Sequence, residues 1–257
     1  MNPLQRALIE KTGNDHGFEY VLPADETAVH LASARHRAQV RIMPKEGRFA
    51  LVFSSTGSGL LCAELARSFP AAARSGSSFV AADQDALARL LRRAAELAHS
   101  LPNQAAEVFE AKLKAELTKF PAELIQGTEV ERLVRQRVGQ QTFRDAMLDY
   151  WGGACAVTGI AQPEVLRASH AKPWAECSSD AERLDVFNGF LLSANLDALF
   201  DRFLISFSPA GKLLVSPTIS PQERERLGLN NPLQLRWLAD EHLRYLRYHQ
   251  ARFGTIE

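Results

Sequence analysis

The feature that most constrains the fold of this 257-residue chain is a short segment in which a strand pattern is followed directly by a helix pattern. Asn188-Gly189 indicates a turn, and the apolar residues 190–192 after it are typical of a buried strand. Residues 196–204 contain neither Gly nor Pro, which favours a helix. In a helix, Asp197 and Asp201 lie one turn apart on one face, where both carboxylates can bind a single hard cation.

A lone histidine lies upstream of this segment. His170 follows a short apolar run, and Pro173 just beyond it must end any regular element. An imidazole has an unperturbed pKa near ~6.5, so it can accept a proton at neutral pH. A base on one strand, an amide (Asn188) on the next and two carboxylates on the following helix together form a strand–strand–helix metal site.

Four separated segments resemble those of a known family, in the same order. They are CAVTG at residues 155–159, ASHAKPW at 168–174, NGFLL at 188–192 and DALFDRFLISF at 197–207. These segments resemble a branch of the HNH nucleases, the family with a ββα-metal finger. The resemblance extends over roughly residues 130–252, about half of the chain.

The resemblance implies a metal-dependent DNA endonuclease with a one-metal mechanism and 5′-phosphate and 3′-hydroxyl products. In this family the first histidine of the motif is the general base, which falls on His170, and the asparagine falls on Asn188. Asn188 is expected to fix the loop that carries His170. The metal ligands fall on Asp197 and Asp201, with Ser169 at a third ligand position.

Two departures from the family pattern bear on the cofactor. Ser169, a weak ligand, stands where many members have an acidic residue or a second histidine, and Asp197 stands in place of the last histidine. Oxygen ligands of this kind favour Mg²⁺ or Mn²⁺ over softer metals. Cys155 is followed by Thr158 rather than by a second cysteine, so no structural zinc is expected.

Basic residues near these segments are candidate contacts to DNA phosphates, with ordinary surface charge as the alternative. The chain has 30 basic and 30 acidic residues, and this balance is mildly against tight, autonomous binding to DNA. Glu182, Arg183 and Asp185 are instead expected to form a capping and ion-pair cluster that fixes the loop before Asn188. The candidate DNA contacts are Arg132, Arg135, Arg144, Lys172 and Arg202.

The remaining patterns predict an α+β protein in three parts. Residues 1–101 alternate strand-like runs with helical ones and form a mixed α+β domain with a recognition or regulatory role. Residues 102–127 form a helical linker that can act as a semi-rigid spacer. Residues 128–257 hold the ββα-metal nuclease domain, in which residues 205–215 form a hairpin and residues 221–253 form helix packed over the finger.

Localisation and partners follow from composition and from the resemblance. No apolar run approaches the ~20 residues of a membrane span, the amino terminus lacks a signal-peptide pattern, and the three cysteines show no spacing pattern. A cytoplasmic protein is therefore expected. The expected partners are DNA, further subunits of a bacterial defence system and a second copy of the chain, with no membrane. The alternative is a catalytically decayed HNH-fold module that binds DNA or serves as an adaptor.

Overall fold

A computed structural model describes residues 1–54, 58–102, 104–120 and 129–254 of the chain. The chain divides into two compact units, Met1–Gln104 and Ala105–Glu257. Helices and strands occur in both units, and the expected α+β class is confirmed. Asn103 and residues 121–128, which belong to the predicted linker and to the start of the predicted nuclease domain, lie outside the described residues.

The first unit is built on a five-stranded antiparallel sheet in which each strand pairs with the next along the chain. A tight hairpin joins the third and fourth strands, with Lys45 paired to Arg48. Its two loop residues, Glu46 and Gly47, have φ of 51° and 76°, as a tight two-residue hairpin requires. The strands are β1 Tyr20–Leu22, β2 Val29–Ala32, β3 Gln39–Lys45, β4 Arg48–Ser54 and β5 Ser78–Ala81.

Three helices accompany this sheet: α1 Pro3–Asp15, α2 Ser58–Ser68 and α3 Gln84–Ser100. Asp83 caps α3, as its side chain accepts a hydrogen bond from the Ala86 amide at 2.7 Å. Burial alternates along the strands, so one face of the sheet supplies the core of the unit.

The second unit begins with two helices, α4 Gln104–Leu117 and α5 Glu129–Trp151. Ion pairs join them, with Lys112 3.1 Å from Asp145 and Arg137 3.0 Å from Glu116. Helix α4 therefore packs against α5 rather than standing free as a spacer. The elements that follow are β6 Leu166–His170, α6 Asp180–Arg183, β7 Gly189–Ser193, α7 Ala194–Asp201, β8 Ile205–Phe207, β9 Leu213–Val215, α8 Pro221–Arg226 and α9 Leu243–Gln250.

The end of the chain differs from its prediction. The hairpin of β8 and β9 is confirmed, whereas the continuous helical region over residues 221–253 is wrong, since only α8 and α9 are α-helical. Gly228 adopts a left-handed φ of 71° just after α8, and Pro232 prevents the helix from resuming. Within the described part of the chain, every helix is too short or too polar to span a lipid bilayer.

Candidate active site

The site is built on an antiparallel pair of strands, β6 and β7. Their register places His170 opposite Gly189 and Ser169 opposite Phe190. A Cβ atom at position 189 would come within 2.0 Å of the Ser169 carbonyl oxygen, so only glycine allows the strands to approach this closely. The turn predicted from Asn188-Gly189 is thus the point where the second strand begins.

Helix α7 starts directly after β7 and packs on β6. The first turn of α7, which contains Asp197, therefore lies next to Ser169 of β6. The Ser169 hydroxyl donates a hydrogen bond to Asp197 Oδ1 at 2.5 Å. Ser169 is buried, with 1% of its surface exposed. The structure therefore brings together Ser169 and Asp197, two of the three predicted metal ligands, although they are 28 residues apart.

His170 lies on the other face of the strand pair, because neighbouring side chains of a strand point to opposite sides. Its ring stacks on Phe143 of α5 with 3.8 Å between the ring centroids, and it meets the edge of Trp174 at 5.8 Å. The strand pair is thus held between α5 on the histidine side and α7 on the aspartate side.

The hydrogen bonding of His170 decides which ring nitrogen can act as a base. Nε2 lies 2.8 Å from the Arg183 carbonyl oxygen, which can only accept, so Nε2 carries the proton. Burial lowers the pKa of His170 to about 4, although the bond to the Arg183 carbonyl opposes the shift. The ring is therefore neutral at pH 7, and the lone pair is on Nδ1, which makes no hydrogen bond within the described residues.

The carboxylates of Asp197 and Asp201, both on α7, repel each other. Desolvation and the like charge of Asp197 raise the pKa of Asp201 to about 6, while Arg202 opposes the shift. A bound cation would relieve this repulsion, and both carboxylates supply hard oxygen atoms. Among the described residues, no three His, Cys, Asp or Glu side chains gather into a metal-binding group. Two carboxylates completed by water are nevertheless an ordinary donor set for Mg²⁺.

Asn188 ties together the loop between β6 and β7. Its side-chain oxygen accepts from the Lys172 amide at 2.8 Å, and its side-chain nitrogen donates to the Lys172 and Glu182 carbonyl oxygens at 3.3 and 3.1 Å. The residue is fully buried. Both ends of the loop are therefore bonded to one side-chain amide.

The ion-pair cluster expected in this loop is present. Glu182 binds Lys172 Nζ at 2.7 Å and accepts from the Ser178 amide at 2.7 Å. Arg183 pairs with Asp180 at 2.9 Å. Asp185 is buried and accepts from Arg244 at 2.6 Å. Sequence reasoning did not identify the Arg183 carbonyl as the partner of the His170 ring, because a backbone acceptor leaves no trace in residue type.

Four of the five candidate DNA contacts are engaged within the protein. Arg132 pairs with Glu129 at 2.6 Å, and Arg135 pairs with Asp180. Arg144 donates to the carbonyl oxygens of Leu166 and Pro163 at 2.7 and 2.9 Å, which ties α5 to the start of β6.

The other two candidates flank the histidine and the aspartates. Lys172 is held by Glu182. Arg202, by contrast, is exposed, and its side chain makes no hydrogen bond or ion pair with the rest of the described chain, although its backbone N–H donates to the Phe200 carbonyl. It immediately follows Asp201 and, of the five candidates, lies nearest in sequence to the predicted metal ligands.

Comparison with known proteins agrees with this geometry. Residues 155–208 match the family model described as HNH endonuclease. That span contains β6, the anchored loop, β7, α7 and β8. No curated protein matched the chain. The carboxy-terminal half of this chain therefore contains an HNH domain.

Proposed function

We propose that the second unit hydrolyses phosphodiester bonds of DNA with a divalent metal ion and His170 as general base. The observation that carries the proposal is the state of the His170 ring. The Arg183 carbonyl accepts a hydrogen bond from Nε2, so the neutral ring has its lone pair on Nδ1. His170 is the last residue of its strand, and Ser169 just before it donates a hydrogen bond to Asp197.

The reaction needs a base because water is a poor nucleophile toward an anionic phosphodiester. Nδ1 of His170 would accept a proton from the attacking water. The Arg183 carbonyl would stabilise the imidazolium that forms, since it accepts from Nε2 in both protonation states. A phosphate anion beside the ring would favour the same charged form and so raise the basicity of a histidine whose pKa burial has lowered.

Asp197 and Asp201 would hold the metal ion, with Ser169 beside them. A divalent ion there would supply Lewis acidity at the phosphate and stabilise the departing 3′ oxygen. Mg²⁺ and Mn²⁺ suit the donor set, because the available atoms are carboxylate and hydroxyl oxygens. Arg202 would contact the nucleic-acid backbone next to this pair.

A second candidate function is favoured by the bond between Ser169 and Asp197. Ser169 is a weak ligand, and its hydroxyl occupies one oxygen of the carboxylate that should bind the metal. A domain with this arrangement could bind nucleic acid without cutting it and serve as an adaptor. The two candidates differ in one observable, which is the production of ends in DNA.

A plasmid cleavage assay separates them. The wild-type chain with Mg²⁺ or Mn²⁺ should convert supercoiled plasmid into nicked or linear forms, and EDTA should stop the reaction. His170→Ala should lower the rate by about 10²- to 10⁴-fold, the usual contribution of a general base. His16→Ala, in the first unit, is the matched control and should cut at the wild-type rate. Equal cutting by His170→Ala and wild type would remove His170 from the mechanism.

We further propose that the chain acts in the cytoplasm against foreign DNA, as a subunit of a defence system or as a homodimer. The support is the likeness of its segments to nucleases of such systems, and the balanced charge of the chain, which suits recruitment by a partner. Cells expressing the wild-type chain with its neighbouring genes should resist phage, and cells with the His170→Ala chain should not. Equal plating of phage on both would contradict the defence role.

A further inference from the structure

The side chain of Arg183 closes the loop that faces His170. Its Nη1 donates to Asp180 at 2.9 Å, its Nη2 to the Cys177 carbonyl at 2.8 Å, and its Nε to the Trp174 carbonyl at 3.2 Å. The guanidinium also lies 5.6 Å from the centre of the Trp174 ring. One side chain therefore joins three points of the loop between residues 174 and 183.

The backbone of the same residue holds the histidine. The Arg183 carbonyl accepts the Nε2 proton of His170 at 2.8 Å. This carbonyl belongs to α6, a helix of four residues, and so short a helix has little stability of its own. Contacts of side chains with the rest of the loop must keep it in place, and the guanidinium makes three of them.

We infer that Arg183 is a positioning residue that keeps the His170 ring oriented, with Nε2 held and Nδ1 free to accept a proton. The effect of Arg183 on the orientation of His170 is independent of the proposed function, and only its consequence for catalysis rests on that function. Without the guanidinium, the end of α6 loosens, the carbonyl moves away from Nε2, and the ring is free to rotate and to exchange its proton with water. Asp180 supports the same contact from α6, because it binds both Arg183 and Arg135 of α5.

The test is a spectroscopic one on the full chain without metal or DNA. Histidine labelled with ¹⁵N gives a ring N–H signal only where the proton is protected from exchange with water. His170 should give such a signal, assigned by its loss in His170→Ala. His249 serves as an internal reference, because its Nε2 is bonded to the Phe200 carbonyl at 2.9 Å in the core of the unit.

In Arg183→Ala the His170 signal should vanish while the His249 signal stays. Arg224→Ala is the matched control, since Arg224 also donates to two loop carbonyls, those of Ile219 and Ser216 at 3.0 and 2.9 Å. It should keep both signals. A His170 signal that persists in Arg183→Ala would overturn the inference.

A milder variant distinguishes a local effect on His170 from a loss of overall stability. Arg183→Lys keeps the charge but cannot make three directed bonds, so the His170 signal should weaken alone. If the two signals disappear together in both variants, Arg183 acts through overall stability and the inference is wrong.

Cleavage supplies the second readout. Arg183→Ala should lower kcat by at least about tenfold with little change in KM, because a misaligned base slows the chemical step and leaves binding intact. A rise in KM with kcat unchanged would also overturn the inference. The N–H signal is recorded without substrate. It therefore decides the role of Arg183 even if the protein proves to have no nuclease activity.

Discussion

Trp174 packs against the backbone of α5 at Gly139. A Cβ atom built at position 139 would lie 2.3 Å from Cη2 of the indole, far inside any real contact. Trp174 in turn meets the edge of the His170 ring and stacks beneath the Arg183 guanidinium. The glycine in the middle of a 23-residue helix is therefore a packing requirement of the loop that holds the candidate base.

Gly139→Ala should destabilise the second unit and lower cleavage. In an open helix the same change stabilises by about 1 kcal/mol, but here the methyl group must displace the indole, at a cost on the order of 1–3 kcal/mol. Urea denaturation followed by tryptophan fluorescence measures the effect. Gly59→Ala is the control, since no atom of the described residues lies within 4 Å of its added Cβ, and it should be neutral or slightly stabilising. A stabilised Gly139→Ala protein would show that the indole moves without cost.

Asp201→Asn should have effects of opposite sign with and without metal. Without metal the amide removes a charge that burial, and then the repulsion from Asp197, disfavour at position 201, so Tm should rise. With Mg²⁺ the wild type should gain stability and the variant should gain much less, since a ligand that binds the folded state stabilises it. Calorimetry at pH 7.5 with and without Mg²⁺ measures both effects. Asp240→Asn, which removes an exposed carboxylate elsewhere, should leave both values unchanged.

Arg202 and Arg144 should separate phosphate contact from structural support. Arg202→Ala should weaken binding to duplex DNA and reduce the slope of log K against log salt by about one, as expected for one lost phosphate contact. Arg144→Ala should instead lower the free energy of unfolding by about 1 kcal/mol, because a part-buried bond to the Leu166 carbonyl and an exposed one to the Pro163 carbonyl are lost. Fluorescence anisotropy in EDTA and urea denaturation measure the two effects. A reduced salt slope in a normally stable Arg144→Ala protein would instead make Arg144 a DNA contact.

The part of the site that the sequence predicts is the part made by local order along the chain. A turn at Asn188-Gly189, an apolar strand and a helix without Gly or Pro place Asp197 and Asp201 on one helix, because each element is specified by its own residues. The end of the chain was mispredicted for the same reason. The apolar and aromatic residues favour one helical region, but Gly228 with its left-handed φ and Pro232 interrupt it.

The contacts that sequence reasoning missed join residues far apart or use the backbone. Arg135 reaches Asp180 across 45 residues, and His249 reaches the Phe200 carbonyl across 49. Such pairs leave no periodic pattern, and a carbonyl acceptor is present at every residue. The connection of His249 to α7, the helix of the predicted metal ligands, emerges only when α9 is placed against that helix.

The first unit should lose stability in mild acid through His36. Burial lowers the pKa of this histidine to about 4, against the raising effect of Glu19, with smaller effects from His99 and Arg35. The unfolded chain binds a proton near ~6.5, so the stabilising effect of the neutral ring is complete above that pH and is lost as pH falls toward 4. Linkage gives a loss of about 2 kcal/mol at pH 5 relative to pH 7.5.

Replacing His36 with phenylalanine should flatten this dependence, since the ring contact with Phe18 can remain while no proton can bind. Urea denaturation with hydrogen exchange read from peptides of each unit measures the effect at both values of pH. The second unit is the internal control, because its pH dependence should be the same in both proteins. An unchanged slope in the first unit of His36→Phe would assign the acid sensitivity to other groups.

His249 should affect the positions of Asp197 and Asp201, the proposed metal ligands, through its contacts with Phe200 of α7. Its Nε2 donates to the Phe200 carbonyl at 2.9 Å, its Nδ1 accepts from the Ser206 hydroxyl at 3.0 Å, and its ring stacks on Phe200 at 3.8 Å. Phe200 immediately precedes Asp201, so this contact fixes the last turn of α7. His249→Phe keeps the stacking and removes both hydrogen bonds.

This variant should bind Mn²⁺ several-fold more weakly, because Asp201 is then held less firmly toward Asp197, and should lose about 1–3 kcal/mol of stability for each buried group left without a partner. Electron paramagnetic resonance titration of Mn²⁺ and urea denaturation measure the two effects. Tyr245→Phe is the matched control on α9, since it removes the 2.9 Å bond to Asp185 and should cost stability without changing metal affinity. If both variants weaken Mn²⁺ binding equally, α9 supports the site only through general stability; if only His249→Phe does, one imidazole in the core sets the position of a metal ligand.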